Sequence, residues 1–223
     1  QLSIDSSGEL LHRRGYRGET AQAPLRENLA AGILRLLDWD GSTPLVDPMC
    51  GSGTFLIEAA WLARRRAAGL ERRFACMDWP GFRLGLWEVL TGEARRAELP
   101  ATPILRGGER DAASFEAARR NAARAGVVDL LDLRREELTD AVAPAGSGLL
   151  LCNPPYGKRV GGEEDLRPLY RTLGRIYRER FFGWRLAFLC PDDALAAAVD
   201  LPLKRLARLR NGGIPISLWS FEG

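Results

Sequence analysis

Short apolar runs alternate with longer stretches of helical periodicity along most of the chain. Leu45-Val46, Ile104-Leu105-Arg106, Leu130–Leu133, Leu149–Cys152 and Leu186–Cys190 are compact, bounded by turn-forming residues, and read as buried strands. Between them, Leu25, Leu29, Ile33, Leu36 and Leu37 recur at helical spacing after Pro24, a residue suited to a helix's first turn. Thr54 opens a second helix, carried by Phe55, Leu56, Ala59, Ala60 and Leu62 to Arg66. Ala112–Ala125 is a third, with Gly126 just past its end. Leu166–Arg180 and Pro191–Val199 continue the alternation. Residues 203–210 and 214–221 pair as an antiparallel hairpin through Asn211-Gly212-Gly213. This order predicts an α/β fold: a doubly wound, mostly parallel seven-stranded sheet with right-handed crossovers and a closing antiparallel hairpin.

Two segments stand outside the alternation. Ser6-Ser7-Gly8 marks a turn between short extended stretches, which predicts an N-terminal β-hairpin lead-in over residues 1–20. Residues 67–103 carry a turn at Trp79-Pro80-Gly81-Phe82 and a helix from Arg83 to Leu99, expected to form a helical insertion packed on the domain. Without an internal repeat, low-complexity tract or linker, residues 1–223 are expected to be a single domain.

Composition narrows the function classes. With 46% hydrophobic residues in 223, a packed core is affordable, and the formal charge of +3 permits nucleic acid without demanding it. Lys158 and Lys204 are the only lysines, so the positive charge is arginine, the better bidentate partner for phosphates and bases. Cys50, Cys76, Cys152 and Cys190 are widely spaced and His12 is the one histidine, a pattern that argues against a metal site. Three of these cysteines lie in or beside apolar runs, as expected of reduced thiols in a cytoplasmic protein. No apolar run approaches the ~20 residues that span a bilayer, and no signal peptide is visible.

The chemistry concentrates at strand ends, where doubly wound sheets bind ligands. Asp47-Pro48-Met49-Cys50-Gly51-Ser52-Gly53-Thr54 follows the first strand. Its glycines let the backbone turn sharply and approach a ligand ahead of a helix, and Asp47 can accept from an ammonium group or position a water. Glu109, in Gly107-Gly108-Glu109-Arg110-Asp111, can take both hydroxyls of a ribose, or with Asp111 simply cap the following helix. Glu137 is a candidate for an adenine amine, or a solvated charge. Asn153-Pro154-Pro155-Tyr156 ends the strand Leu149–Cys152. A purine amine is a poor nucleophile because its lone pair delocalises into the ring. The Asn153 carboxamide oxygen and the Pro154 carbonyl can each accept one N–H, so that positioning and electrostatics activate the nitrogen without a strong base. Tyr156 offers a ring to stack on an extruded base, worth about 1–3 kcal/mol. His12-Arg13-Arg14-Gly15-Tyr16-Arg17 and Gly157-Lys158-Arg159 are basic loops suited to a phosphate backbone, with Arg13, Arg14, Arg17, Lys158 and Arg159 as the contacts.

These residues together resemble the class I S-adenosylmethionine-dependent amino-methyltransferases. More closely, they resemble the large-subunit ribosomal RNA guanine-N2 methyltransferases (RlmL type) and their THUMP-containing tRNA relatives. The resemblance runs through Leu11–Arg17, Ala23–Ala31, Asp47–Ala60, Ala117–Ala122, Cys152–Gly161 and Leu209–Gly212. It implies a Rossmann-like fold, S-adenosylmethionine as cofactor and an RNA partner, ribosomal RNA first and tRNA second, with a monomer expected. Asp47, Pro48, Cys50, Gly51, Gly53, Thr54, Glu109, Arg110, Glu137 and Asn153 would line the cofactor site, and Asn153, Pro154, Pro155 and Tyr156 the acceptor site. The family often has aspartate where Glu109 stands. Its RNA-capturing THUMP domain would precede residue 1. Same-fold alternatives are a DNA adenine or a protein glutamine amine as acceptor; a different class is a non-catalytic RNA-binding or assembly module.

Overall fold

The computed structural model describes residues 3–18, 25–100, 102–156 and 165–223. Pro24, Lys158 and Arg159 lie outside them.

Seven strands form one sheet: β1 (Leu45–Asp47), β2 (Leu105–Gly108), β3 (Leu131–Arg134), β4 (Leu149–Cys152), β5 (Arg185–Cys190), β6 (Lys204–Asn211) and β7 (Ile214–Glu222). Their order is β3-β2-β1-β4-β5-β7-β6, with the first five parallel and β7 antiparallel to both β5 and β6. The chain winds outward from β1 through β2 to β3, then returns beside β1 as β4. The β1/β4 seam is therefore the topological switch point, where the carboxyl ends of the strands open a crevice.

Among the described residues the α-helices are α1 (Glu27–Leu36), α2 (Thr54–Ala63), α3 (Leu84–Arg96), α4 (Ala112–Arg124), α5 (Arg167–Arg180) and α6 (Asp193–Ala197). Alternate strand residues face two cores. Leu45, Leu105, Leu149, Leu151, Ala187 and Leu189 pack with α1, α2 and α4 on one side. Val46, Leu150, Cys152, Leu186, Phe188 and Cys190 pack with α5 and α6 on the other. Helix α2 is apolar almost all round because it is enclosed by the sheet and α1, and each buried Phe, Leu or Ile contributes about 1.5–3 kcal/mol relative to exposure.

The N-terminal segment departs from the expected hairpin. Residues 3–18 form turns and irregular backbone with no strand. The carbonyls that a strand partner would have used are taken by one side chain: Arg72 donates to Glu9, Leu10 and Arg13 carbonyls at 2.5, 2.9 and 3.0 Å. Tyr16 then buries its ring edge-on against Trp61 at 5.3 Å, anchoring the segment to α2. Residues 67–100 are largely helical in the 3₁₀ turn Ala75–Asp78 and in α3. No residue of α3 is buried; Arg64 and Arg66 on Glu98 hold the segment to the end of α2, and Phe74 packs against Trp87 within it.

Candidate active site

Parallel register brings the candidate residues to one edge. Asp47 pairs with Gly107, two residues before Glu109. Gly108 pairs with Arg134, three before Glu137. Val46 pairs with Leu150, three before Asn153. Four polar side chains from four neighbouring strands thus share the carboxyl edge around the switch point.

The glycine turn is held by backbone geometry and by its neighbours. Gly51 and Gly53 adopt φ of 54° and 82°, a left-handed conformation costing a non-glycine residue about 1–2 kcal/mol. The Gly53 amide closes onto the Cys50 carbonyl at 2.8 Å, and the Cys50 amide reaches the Gly108 carbonyl at 2.9 Å. Gly51 donates to Glu109 Oε2 at 3.0 Å, while the Asp111 amide donates to Oε1 at 2.8 Å. Glu109 therefore buttresses the turn and the approach to α4, whose N-cap is Asp111. No side chain caps the first turn of α2, which starts directly from Gly53. A Cβ on Gly108 would come within 3.0 Å of Glu136 Oε1 and 3.3 Å of the Pro48 carbonyl, so glycine there keeps this edge open.

Asp47 is 2% exposed and its carboxylate accepts from the Met49 amide at 3.1 Å. Burial raises its pKa to about 8, the Met49 amide opposing and the Glu109 charge adding to the shift. Such an acid favours a cationic ligand group, which would restore the ionised form. The Cys50 thiol is also pushed up by burial, which makes it a packing group rather than a nucleophile.

On the acceptor side, Asn153 Oδ1 is buried and meets no hydrogen-bond partner among the described residues. An orphaned buried amide oxygen costs roughly 1–3 kcal/mol, so its presence at a strand tip marks a place where a donor belongs. Pro154 is buried and Pro155 exposed, giving a rigid turn. The Tyr156 phenol is raised by burial, with the Asn211 and Asn153 carboxamides lowering it. Its hydroxyl accepts from Asn211 Nδ2 at 3.2 Å.

Residues 14–218 match the family model described as RMKL-like, methyltransferase domain (UPF0020). The chain belongs to this family. It is 38% identical over 224 residues to slr0064 of Synechocystis sp., a protein whose name proposes an RNA methyltransferase, and it spans 58% of that protein. Among solved structures it resembles SMU.472, named as a methyltransferase and solved in complex with SAH, at 33% identity and a TM-score of 0.89, covering 99% of this chain and 58% of that one. A Listeria monocytogenes protein named as an N6-adenine-specific DNA methylase by prediction is similar at 32% identity and a TM-score of 0.86, covering 99% and 57%. The chain thus spans little more than half the length of these relatives.

For a methyltransferase domain of this family, two outcomes of the structure correct the sequence reading. Arg14 and Arg17, expected to meet a phosphate backbone, turn inward. Arg14 Nε lies 3.0 Å from Glu58, and Arg17 Nη2 donates to the Leu25 carbonyl at 2.6 Å and to Thr54 Oγ1 at 2.7 Å, with Glu27 3.7 Å from its Nε. Glu27 and Glu58 are each 3% exposed, so both guanidinium groups are engaged with buried carboxyl groups inside the fold and are not presented to a phosphate backbone. Arg13 stays exposed beside Glu9. Second, Glu137 shares a capping box with Asp140 and is exposed, with Arg110 at 4.0 Å. Glu136, which sequence reasoning passed over, stands closer to the Gly108 edge.

Three further residues carry weight that spacing did not reveal. Asn121 on α4 is 4% exposed; its Nδ2 donates to the Ser52 carbonyl at 3.1 Å and its Oδ1 accepts from the Gly18 amide at 3.2 Å. It thereby ties the N-terminal segment to the glycine turn. Tyr16 donates to Glu58 at 3.0 Å, alongside Arg14, and burial raises the Glu58 pKa to about 7 while Arg14 opposes it. Only an Asn within a helix and a Glu within an apolar helix hinted at these roles.

Among the described residues, no group of three or more His, Cys, Asp or Glu is arranged to hold a metal ion. No helix there is long and apolar enough to cross a membrane.

Proposed function

We propose that this domain transfers the methyl group of S-adenosylmethionine to the exocyclic N2 amine of a guanine in RNA, with 23S ribosomal RNA the leading substrate. The orphaned Asn153 Oδ1, one seam away from the glycine turn, is the observation that carries the reading.

The residues present fit that cofactor. Asp47 offers a buried carboxylate for its ammonium group, Gly51 and Gly53 allow close backbone approach, and Glu109 stands where ribose hydroxyls can be accepted. Glu136, beside the Gly108 edge, is the acid offered to the adenine amine, while Glu137 stays in its capping box. When bound, the cofactor supplies an electrophilic methyl group on a sulfonium. On the acceptor side, Asn153 Oδ1 and the Pro154 carbonyl each accept one amine N–H, which turns the nitrogen lone pair out of the ring's conjugation. Tyr156 stacks on the base. As the C–N bond would form, the methyl–sulfur bond would break to leave the neutral thioether S-adenosylhomocysteine, and the amine proton, acidic only at that stage, would pass by way of the Asn153 carboxamide to solvent, so no strong base is needed.

Resemblance at Leu11–Arg17 and Ala23–Ala31, together with the RNA-methyltransferase name of slr0064, favours RNA as the polymer. The test is transfer of labelled methyl to deproteinised 23S ribosomal RNA, tRNA and DNA, followed by nucleoside analysis. Label in N2-methylguanosine of ribosomal RNA is expected. Label confined to N6-methyladenine of DNA would overturn the acceptor assignment. No calorimetric binding of S-adenosylmethionine at millimolar concentration would overturn the enzyme reading in favour of a binding module.

A further inference from the structure

Asn211 sits at the end of β6, far in sequence from every motif of the site, yet it is 2% exposed and fully engaged. Its Nδ2 donates to the Tyr156 hydroxyl at 3.2 Å, and its Oδ1 accepts from the Arg26 amide at 3.4 Å. That amide belongs to the same peptide unit as the Leu25 carbonyl, which accepts from Arg17 Nη2 at 2.6 Å. The same Arg17 nitrogen donates to Thr54 Oγ1 at 2.7 Å, on the residue that follows Gly53. One peptide plane at the entry to α1 therefore joins two side-chain bridges. One reaches the aromatic ring of the acceptor turn, the other the start of the cofactor helix.

We infer that Asn211 is a positioning residue for the acceptor site: it tethers the Tyr156 hydroxyl so that the ring is held ready to stack on the base, and the Leu25–Arg26 peptide and Arg17 tie that tether to the helix start at Thr54. The inference rests on the proposed methyl-transfer reading for its purpose. The tether itself is independent of it. A stacking platform that can rotate away loses part of its binding free energy to ordering whenever a base enters. Fixing the phenol at its far end removes that cost, and the ring's packing against the core supports it from the other side. Arg17, rather than contacting RNA, becomes part of the frame that sets the acceptor turn relative to the cofactor turn, and a misplacement of about 1 Å across such a gap costs on the order of 10²-fold in rate.

The test compares Asn211→Ala, Tyr156→Phe and the double variant. Tyr156→Phe keeps the ring and removes only the tethered hydroxyl at a partly exposed position, so it reports even if Asn211→Ala folds poorly. With S-adenosylmethionine and deproteinised 23S ribosomal RNA, each single variant should slow single-turnover transfer by about three- to tenfold, the usual worth of one such hydrogen bond. Cofactor affinity should be unchanged, and the double variant should be no slower than the slower single. Multiplicative losses in the double variant would show that Asn211 acts elsewhere and overturn the proposal. A readout without RNA separates this from the function itself. The chain has four tyrosines, so the Tyr156 ring can be followed by carbon-13 NMR in the full chain. Its ring should lose order in Asn211→Ala while Tyr16, Tyr170 and Tyr177 stay unchanged. An equally ordered Tyr156 ring would overturn the tether even if methyl transfer were established. Loss of order with no transfer to any nucleic acid would uphold the tether and remove the function.

Discussion

Asp47 is the carboxylic acid whose chemistry is most changed by its surroundings. Burial raises its pKa to about 8, so near neutrality the free domain carries it largely protonated. A ligand ammonium at this carboxylate requires the ionised form, and binding below pH 8 must therefore release a proton. Affinity for S-adenosylmethionine should rise with pH by up to tenfold per unit from about pH 6 and fall again above about pH 8, where the ligand's own α-amino group loses its proton. Asp47→Asn should bind more weakly and show no such slope. Calorimetry in buffers of different ionisation enthalpy measures both the slope and the proton, and a pH-independent affinity in the parent chain would count against the ammonium assignment. The sequence makes Asp47 visible as a strand-end acid, because its position follows from Leu45-Val46 and the glycines after it. Its protonation is not visible there, because that depends on how deeply the fold buries it, on the Met49 amide and on the Glu109 charge brought near it.

At the scale of elements, α2 and α4 meet the glycine turn from two sides. The turn's shape depends on Asn121, whose carboxamide serves the Ser52 carbonyl and the Gly18 amide at once. Asn121→Ala strands both groups, a loss of about 1–3 kcal/mol in stability, and should loosen the turn enough to weaken S-adenosylmethionine binding several-fold. Chemical denaturation paired with cofactor titration checks this; full cofactor affinity in a destabilised variant would show that Asn121 only supports the fold. Elements with strong periodicity were legible from sequence: α2, α4, α5, β4 and the β6–β7 pair lie close to where apolar spacing places them. The N-terminal lead-in was not, since a turn signal at Ser6-Ser7-Gly8 cannot show that a distant Arg72 will claim the carbonyls of residues 9, 10 and 13. Basic residues at 14 and 17 looked like surface contacts for the same reason. Their partners, Glu58 and Glu27, lie on helices that only the fold brings near.

For the molecule as a whole, two buried acids with raised pKa values set the pH dependence of stability. Asp47 shifts from 3.8 to about 8 and Glu58 from 4.5 to about 7. Each folded value lies above the unfolded one, so the contribution is complete at low pH and is lost as pH rises through the folded pKa. The exposed, lowered carboxylates such as Asp111 and Asp165 stay ionised above pH 5 and do not enter this window. The cofactor-free domain should therefore melt at progressively lower temperature from pH 5 to pH 8. Asp47→Asn should flatten part of that slope, and saturating S-adenosylmethionine should offset it most at the alkaline end. Scanning calorimetry across the range decides it; a domain that grows more stable with pH would contradict the buried-acid account.

The most direct test of the methyl-transfer site is Asn153→Ala, measured for cofactor affinity and for single-turnover methyl transfer to deproteinised 23S ribosomal RNA. Removing the orphaned oxygen should slow transfer by about 10²–10³-fold, the usual cost of one preorganised polar group in a reaction centre, with the S-adenosylmethionine Kd within about threefold of the parent. Equal loss of binding and transfer would show that Asn153 shapes the turn rather than receives the amine, and transfer at the parent rate would remove it from the reaction altogether.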